Sequence, residues 1–186
     1  MKRIIFATLG TFLLLVACNN NKTESPTASE KKDTTTTATN DKETKENRNR
    51  ETIKHNVDAF NTHDVDAIAK DYAANFSEDG DGTGKAQTNI DSVKNSYKMA
   101  FTAFPDLKGD DFKIVADGDW VMVWGKWSGS WKGDVMGQKA TGKQFKVDDV
   151  DVYHLDDNGK ILEHRSIYPS YVLIESVGVK FPKKKS

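Results

Sequence analysis

The sequence predicts an α+β domain with its helices first and an antiparallel sheet after them. Three observations carry this. Apolar residues recur every three or four positions between Ile53 and Phe104, the repeat of one helix face. Beyond Phe112 the chain is rich in β-branched and aromatic residues, the composition of strands. The stretches between these later runs are built from Asp, Asn and Gly, which is turn chemistry.

The elements follow in order. Ile53, Val57 and Phe60 mark a first helix, and Asp64 is placed to cap a second that carries Val65, Ile68 and Tyr72. Ile90, Val93, Tyr97, Phe101 and Phe104 form the clearest helical stripe, with Asn89 or Asp91 as its cap and Pro105 as its stop. Strands are expected over residues 112–115, 120–131, 145–155 and 161–168. Asp117-Gly118-Asp119, residues 133–142 and Asp156-Asp157-Asn158-Gly159 are the turns between them. A short helix over residues 171–177 closes the domain, and residues 182–186 are a basic tail. The domain is set at residues 51–181, about 130 residues, enough to bury a core.

What precedes residue 51 reads differently. Lys2 and Arg3 are followed by 14 uncharged residues, 4–17, a charged n-region and an apolar h-region too short to span a bilayer, which needs roughly 20 residues. Leu15-Val16-Ala17-Cys18 is similar to the bacterial lipobox. The similarity implies removal of residues 1–17 and lipidation of Cys18, an anchor of several acyl chains being firm where one is not. Residues 19–50 include only Ala28 and Ala38 from the apolar set, and are expected to form, with Cys18, a disordered tether over residues 18–50. The expected location is the cell envelope, by lipid anchor only. Asn19 after the cysteine points to the outer membrane where a bacterium has two.

Composition excludes several classes. With 27 Lys and Arg against 28 Asp and Glu there is no dense basic face for nucleic acid. One cysteine excludes a disulfide framework and a Cys-based zinc site. The four histidines lack metal-ligand spacing, and residues 79–90 begin like a calcium loop but end on Ile90 where a bidentate Glu is needed. No metal and no cofactor is expected.

The order of several motifs resembles the SnoaL-like family of the nuclear-transport-factor-like superfamily. These are Phe104-Pro105-Asp106-Leu107, Gly118-Asp119-Trp120-Val121, Trp127-Ser128-Gly129-Ser130, Thr141-Gly142-Lys143, Asp151-Val152-Tyr153-His154 and Gly159-Lys160-Ile161-Leu162-Glu163-His164. The resemblance implies a cone, a curved antiparallel sheet wrapped around the N-terminal helices with a pocket inside. Members that do chemistry use a pocket aspartate as general acid/base on an activated C–H; aligning on Glu163-His164-Arg165 and Gly178 places Pro169 there. Trp131 stands where cyclase-type relatives carry a histidine.

Asp151, His164 and His154 are therefore the candidate acid/base residues, and Arg165 is a candidate ion-pair partner for Asp151. Strand alternation puts Asp149, Asp151 and Tyr153 on one face and Val152 and His154 on the other. Trp127, Trp131, Tyr153, Tyr168 and Phe101 are the expected pocket wall. The leading expectation is a binding protein for a small apolar molecule. The alternatives are a cyclase, isomerase or hydrolase with a non-standard acid/base, and an interaction module that pairs as a homodimer through its sheet. A buried titratable group facing a cavity, near a second polar group, favours catalysis.

Overall fold

A computed structural model describes residues 34–80, 84–134, 137–167 and 176–178. Cys18, Tyr168 and Pro169 lie outside the described residues, as does most of the helix expected over residues 171–177. Its described part, Ser176 and Val177, is helical.

Among the described residues the main elements follow in the order α1 (Thr34–Asn61), α2 (Val65–Lys70), β1 (Tyr72–Asp79), α3 (Ile90–Ala103), β2 (Lys108–Asp117), β3 (Trp120–Ser130), β4 (Gln144–Leu155) and β5 (Ile161–Ser166). The caps are those the sequence offers. The Asp64 side chain accepts from the amides of Asp66 and Ala67, and Asn89 accepts from Ser92 N at the start of α3.

The sheet order is β1-β5-β4-β3-β2. Four strands run antiparallel as expected, but β1 lies parallel to β5, so the sheet is mixed. β1 escapes sequence reading because Tyr72 continues the stripe of α2 and the strand itself, Tyr-Ala-Ala-Asn-Phe-Ser-Glu-Asp, has little β-branched character. Ile53, Val57, Ile68, Val93, Val121, Val123, Leu155 and Ile161 form the core between helices and sheet. Ala103, Trp131, Phe145 and Val177 form a second, smaller cluster.

The folded unit also begins earlier than residue 51. α1 is helical from Thr34, and its polar first half docks on two turns. Glu46 accepts from Gly118 N at 3.0 Å, Asn49 donates to Gly118 O at 3.0 Å, and Arg48 donates to Asp157 O at 2.5 Å. Lys42 pairs with Asp117 at 2.8 Å. Composition suggests a tether here because it counts only apolar surface. These residues are held instead by hydrogen bonds to backbone groups exposed where Gly118 and Gly159 turn the chain at positive φ. Asn49 is fully buried. Asn49→Ala should cost about 1–3 kcal/mol, because it strands a carbonyl, measurable as a lower urea midpoint.

Candidate functional site

The sheet register assembles the site. Glu78 of β1 lies beside His164 of β5, which lies beside Tyr153 of β4, so three side chains form one row across the inner face. One step along, Asp151 faces Ser166, and Asp149 stands two residues beyond on the same face of β4. Glu78, Asp149, Asp151, His164 and Ser166 are all buried.

His164 bridges two carboxylates. Its Nδ1 is 2.9 Å from both oxygens of Glu78, and its Nε2 is 3.2 Å from Asp151 Oδ1. Both ring nitrogens thus face acceptors, which favours the doubly protonated imidazolium. Burial pulls its pKa down, but Glu78 and Asp151 outweigh that and push it up to about 10. The Tyr153 ring lies flat on the imidazole, with centroids 4.3 Å apart and planes 2° from parallel.

Glu78 is richly supplied with hydrogen-bond donors. It accepts from Tyr72 Oη, from Tyr97 Oη at 3.4 Å and from Gly80 N at 3.0 Å, besides His164. Burial raises its pKa, yet the His164 charge and the hydrogen bonds from His164, Tyr72 and Gly80 leave it lowered. Gly80 is required at this point: a Cβ there would sit 2.4 Å from Glu78 Oε1 and 2.7 Å from His164 Cε1.

Asp149 differs. Its Oδ2 accepts from Ser166 Oγ at 2.7 Å, while its Oδ1 is buried with no hydrogen-bond partner among the described residues. Burial and the neighbouring Asp151 raise its pKa to about 6. It faces a cavity of about 260 Å³ whose other walls are largely apolar, including Val57, Phe60, Val93, Phe104, Phe145 and Val147.

Of the residues proposed from sequence, Asp151, His164, Trp127 and Tyr153 line this cavity. His154 does not. It is on the opposite face of β4, its ring stacked on Trp120 at 4.5 Å. Trp131 has the inward phase of Trp127 but its ring is buried in the second cluster, with Nε1–H donated to Gly133 O at 2.6 Å. Phe101 is core, packed between His63, Phe60 and Tyr97 rather than on the cavity wall. Arg165 pairs with Glu163 at 2.8 Å on the outer side, and not with Asp151. Val115, Trp120, Met122 and Trp124 are exposed; Met122 lies between the two tryptophans on the outer face of β3, opposite Val115 of β2.

Sequence reasoning passes over Glu78, Tyr72 and Tyr97. Glu78 stands where an acidic, glycine-rich stretch reads as loop, and only its parallel pairing with β5 brings it to His164. Tyr97 is legible as an inward residue of α3, but not as a donor to a carboxylate.

The curved mixed sheet and the helices enclose a largely apolar cavity, with a buried carboxylate on its wall that has one oxygen unpartnered among the described residues. The sequence profile of the SnoaL-like polyketide cyclase family matches residues 50–174, and the chain belongs to that family. Similar solved structures agree on the fold. One from Jannaschia sp. CCS1, provisionally described as a SnoaL-like polyketide cyclase, is 21% identical, with a TM-score of 0.66 over 74% of this chain and 96% of that one. A provisional polyketide cyclase from Xanthomonas campestris pv. campestris is 18% identical, with a TM-score of 0.67 over 72% and 99%. AclR from Streptomyces galilaeus, provisionally described as a hydroxylase, is 23% identical, with a TM-score of 0.62 over 74% and 87%. Among curated proteins, none matches.

Proposed function

We propose that the domain is an acid–base catalyst for a small, largely apolar carbonyl compound, of the cyclase or isomerase kind, with Asp149 as its proton carrier. The observation that carries this reading is Asp149, which lines a largely apolar cavity and whose buried Oδ1 has no hydrogen-bond partner among the described residues. Such a carboxylate loses stability by its position, and a residue kept there at a cost is a functional candidate. In the step we propose, a C–H bond next to the ligand carbonyl breaks and an O–H bond forms on Asp149. The electron pair moves onto the carbonyl oxygen as an enolate. The enolate carbon then bonds to a second carbonyl carbon, whose oxygen takes the proton back from Asp149, or Asp149 returns the proton to another carbon of the enolate system.

A base is most effective when its pKa lies near the working pH, and a value of about 6 meets that condition. Asp151, ionically tied to His164, is the charge that helps hold Asp149 there. The carboxylates beside the aromatic walls favour this catalytic reading over the binding-only expectation.

The test is hydrogen exchange. With 2-tetralone as the probe in D2O, loss of its C1 protons followed by NMR should be accelerated by the protein. The rate should rise as pH rises through about 6, since only the ionised carboxylate accepts a proton. No acceleration over free acetate would defeat the reading.

We further propose that this chemistry takes place at a membrane surface of the cell envelope, with the domain anchored through lipidated Cys18. The support is the charged, apolar and Leu-Val-Ala-Cys sequence of residues 1–18.

A further inference from the structure

Trp127 lines the cavity, and its Nε1 is a second buried polar atom with no hydrogen-bond partner among the described residues. Indole nitrogen can only donate, so it calls for an acceptor that the described residues do not supply. A buried donor left unpaired is costly, and here the cost is not relieved by neighbouring groups.

The surrounding structure fixes this indole rather than letting it turn away. A bulge in β2 between Asp110 and Lys113, with Asp111 at a φ of 57°, carries Phe112 inward. The Phe112 ring lies over Gly109 and Gly125, where an added Cβ would come within 2.4 and 2.5 Å of it. Phe112 then meets Trp127 edge to face at 5.6 Å, and Phe60 of α1 meets it at 4.8 Å and 78°. Two glycines, a strained residue and two aromatic rings thus hold one indole in place.

Its position relative to Asp149 follows from the register. Trp127 faces Val147 and Gly125 faces Asp149, so Trp127 and Asp149 are diagonal neighbours on the inner face, roughly 7 Å apart from backbone to backbone. One offers a hydrogen and the other accepts one. We infer that Trp127 donates its Nε1–H to the carbonyl oxygen of the ligand, and that this contact makes the cavity selective for a carbonyl compound over a hydrocarbon of the same shape. The inference rests on the proposed role of Asp149 only for the identity of the group beside that carbonyl. In that reaction the bond would strengthen as the oxygen becomes an enolate, because preorganised donors act most strongly on developing charge.

The test compares 2-tetralone with tetralin, which has the same rings and no oxygen. The full chain labelled with 15N should show four indole signals, one for each tryptophan, to be assigned by single Trp→Phe substitutions. The ketone should move the Trp127 indole proton downfield saturably and leave Trp131, already bonded to Gly133, unmoved. Tetralin should not produce that shift. Trp127→Phe should weaken ketone binding about fivefold, as expected for one hydrogen bond, and tetralin binding by less than about twofold.

The inference is overturned if the ketone gives no saturable Trp127 shift, if tetralin gives the same shift, or if Trp127→Phe weakens both probes equally. Failure of the catalytic reading looks different. The ketone would still move the Trp127 signal, but its C1 protons would exchange no faster than in acetate.

Discussion

Asp149→Asn is expected to make the protein more stable and inactive at once. An aspartate whose folded pKa is raised to about 6 from 3.8 binds its proton more tightly in the folded state. Below about pH 4 both states are protonated and the group is neutral in its effect. Above about pH 6 the folded state must hold a buried charge that the unfolded state exposes to water. The resulting penalty is on the order of 1–3 kcal/mol at pH 8, since each tenfold change in proton affinity is worth about 1.4 kcal/mol. Asparagine has the same shape, can still bond to Ser166 Oγ, and carries no charge. Its melting temperature should therefore exceed the wild type's at pH 8, and the difference should shrink on acidification and vanish near pH 4. Exchange of the 2-tetralone C1 protons should fall by about 10²–10⁴-fold, the usual worth of a general base. Stability gained where activity is lost marks a residue retained for chemistry. A variant that melts lower at pH 8 would instead make Asp149 a structural partner of Ser166.

The parts of this fold that sequence shows clearly are those with one dominant period. α3 is legible because five apolar residues fall on one stripe between Asn89 and Pro105. β3 and β4 are legible because Val121 and Val123 alternate with exposed neighbours, and Asp149, Asp151 and Tyr153 likewise share one side. That alternation correctly separates the inward Asp151 and Tyr153 from the outward His154. Failures come where position depends on pairing rather than period. Strand phase brings Trp127 and Trp131 inward together, but only packing against Ala103 and Val177 takes Trp131 out of the cavity. Glu78 reaches His164 through a parallel pair between strands 86 residues apart, and no local pattern encodes that. The first half of α1 is missed for a third reason. Its binding to the turns is polar, and hydrophobic patterning cannot register it.

His164→Gln should produce the opposite change in stability and a diagnostic change in pH dependence. Removing the imidazolium leaves Glu78 and Asp151 buried without their shared cation, a loss of about 3–5 kcal/mol for a broken buried ion pair. His164 has a folded pKa raised to about 10 from 6.5, so its stabilisation is fully present below about pH 6.5. It is lost as pH rises through about 10. Wild-type stability should thus decline along an alkaline limb between these values, and that limb should be missing from His164→Gln. Glu78, whose pKa is lowered, contributes in the other direction, above its unfolded value of about 4.5, and is lost on acidification. Adding Glu78→Gln to His164→Gln should recover part of the loss, because the second substitution removes an uncompensated charge; the double-mutant cycle measures their coupling. Activity separates positioning from mere support. The His164 charge is one of the influences that lower the Asp149 pKa. Without it, the pH at which exchange of 2-tetralone reaches half its maximum should move above about 6. A variant that folds and keeps its midpoint at about 6 would show that His164 holds the strands together but does not set the proton affinity of Asp149.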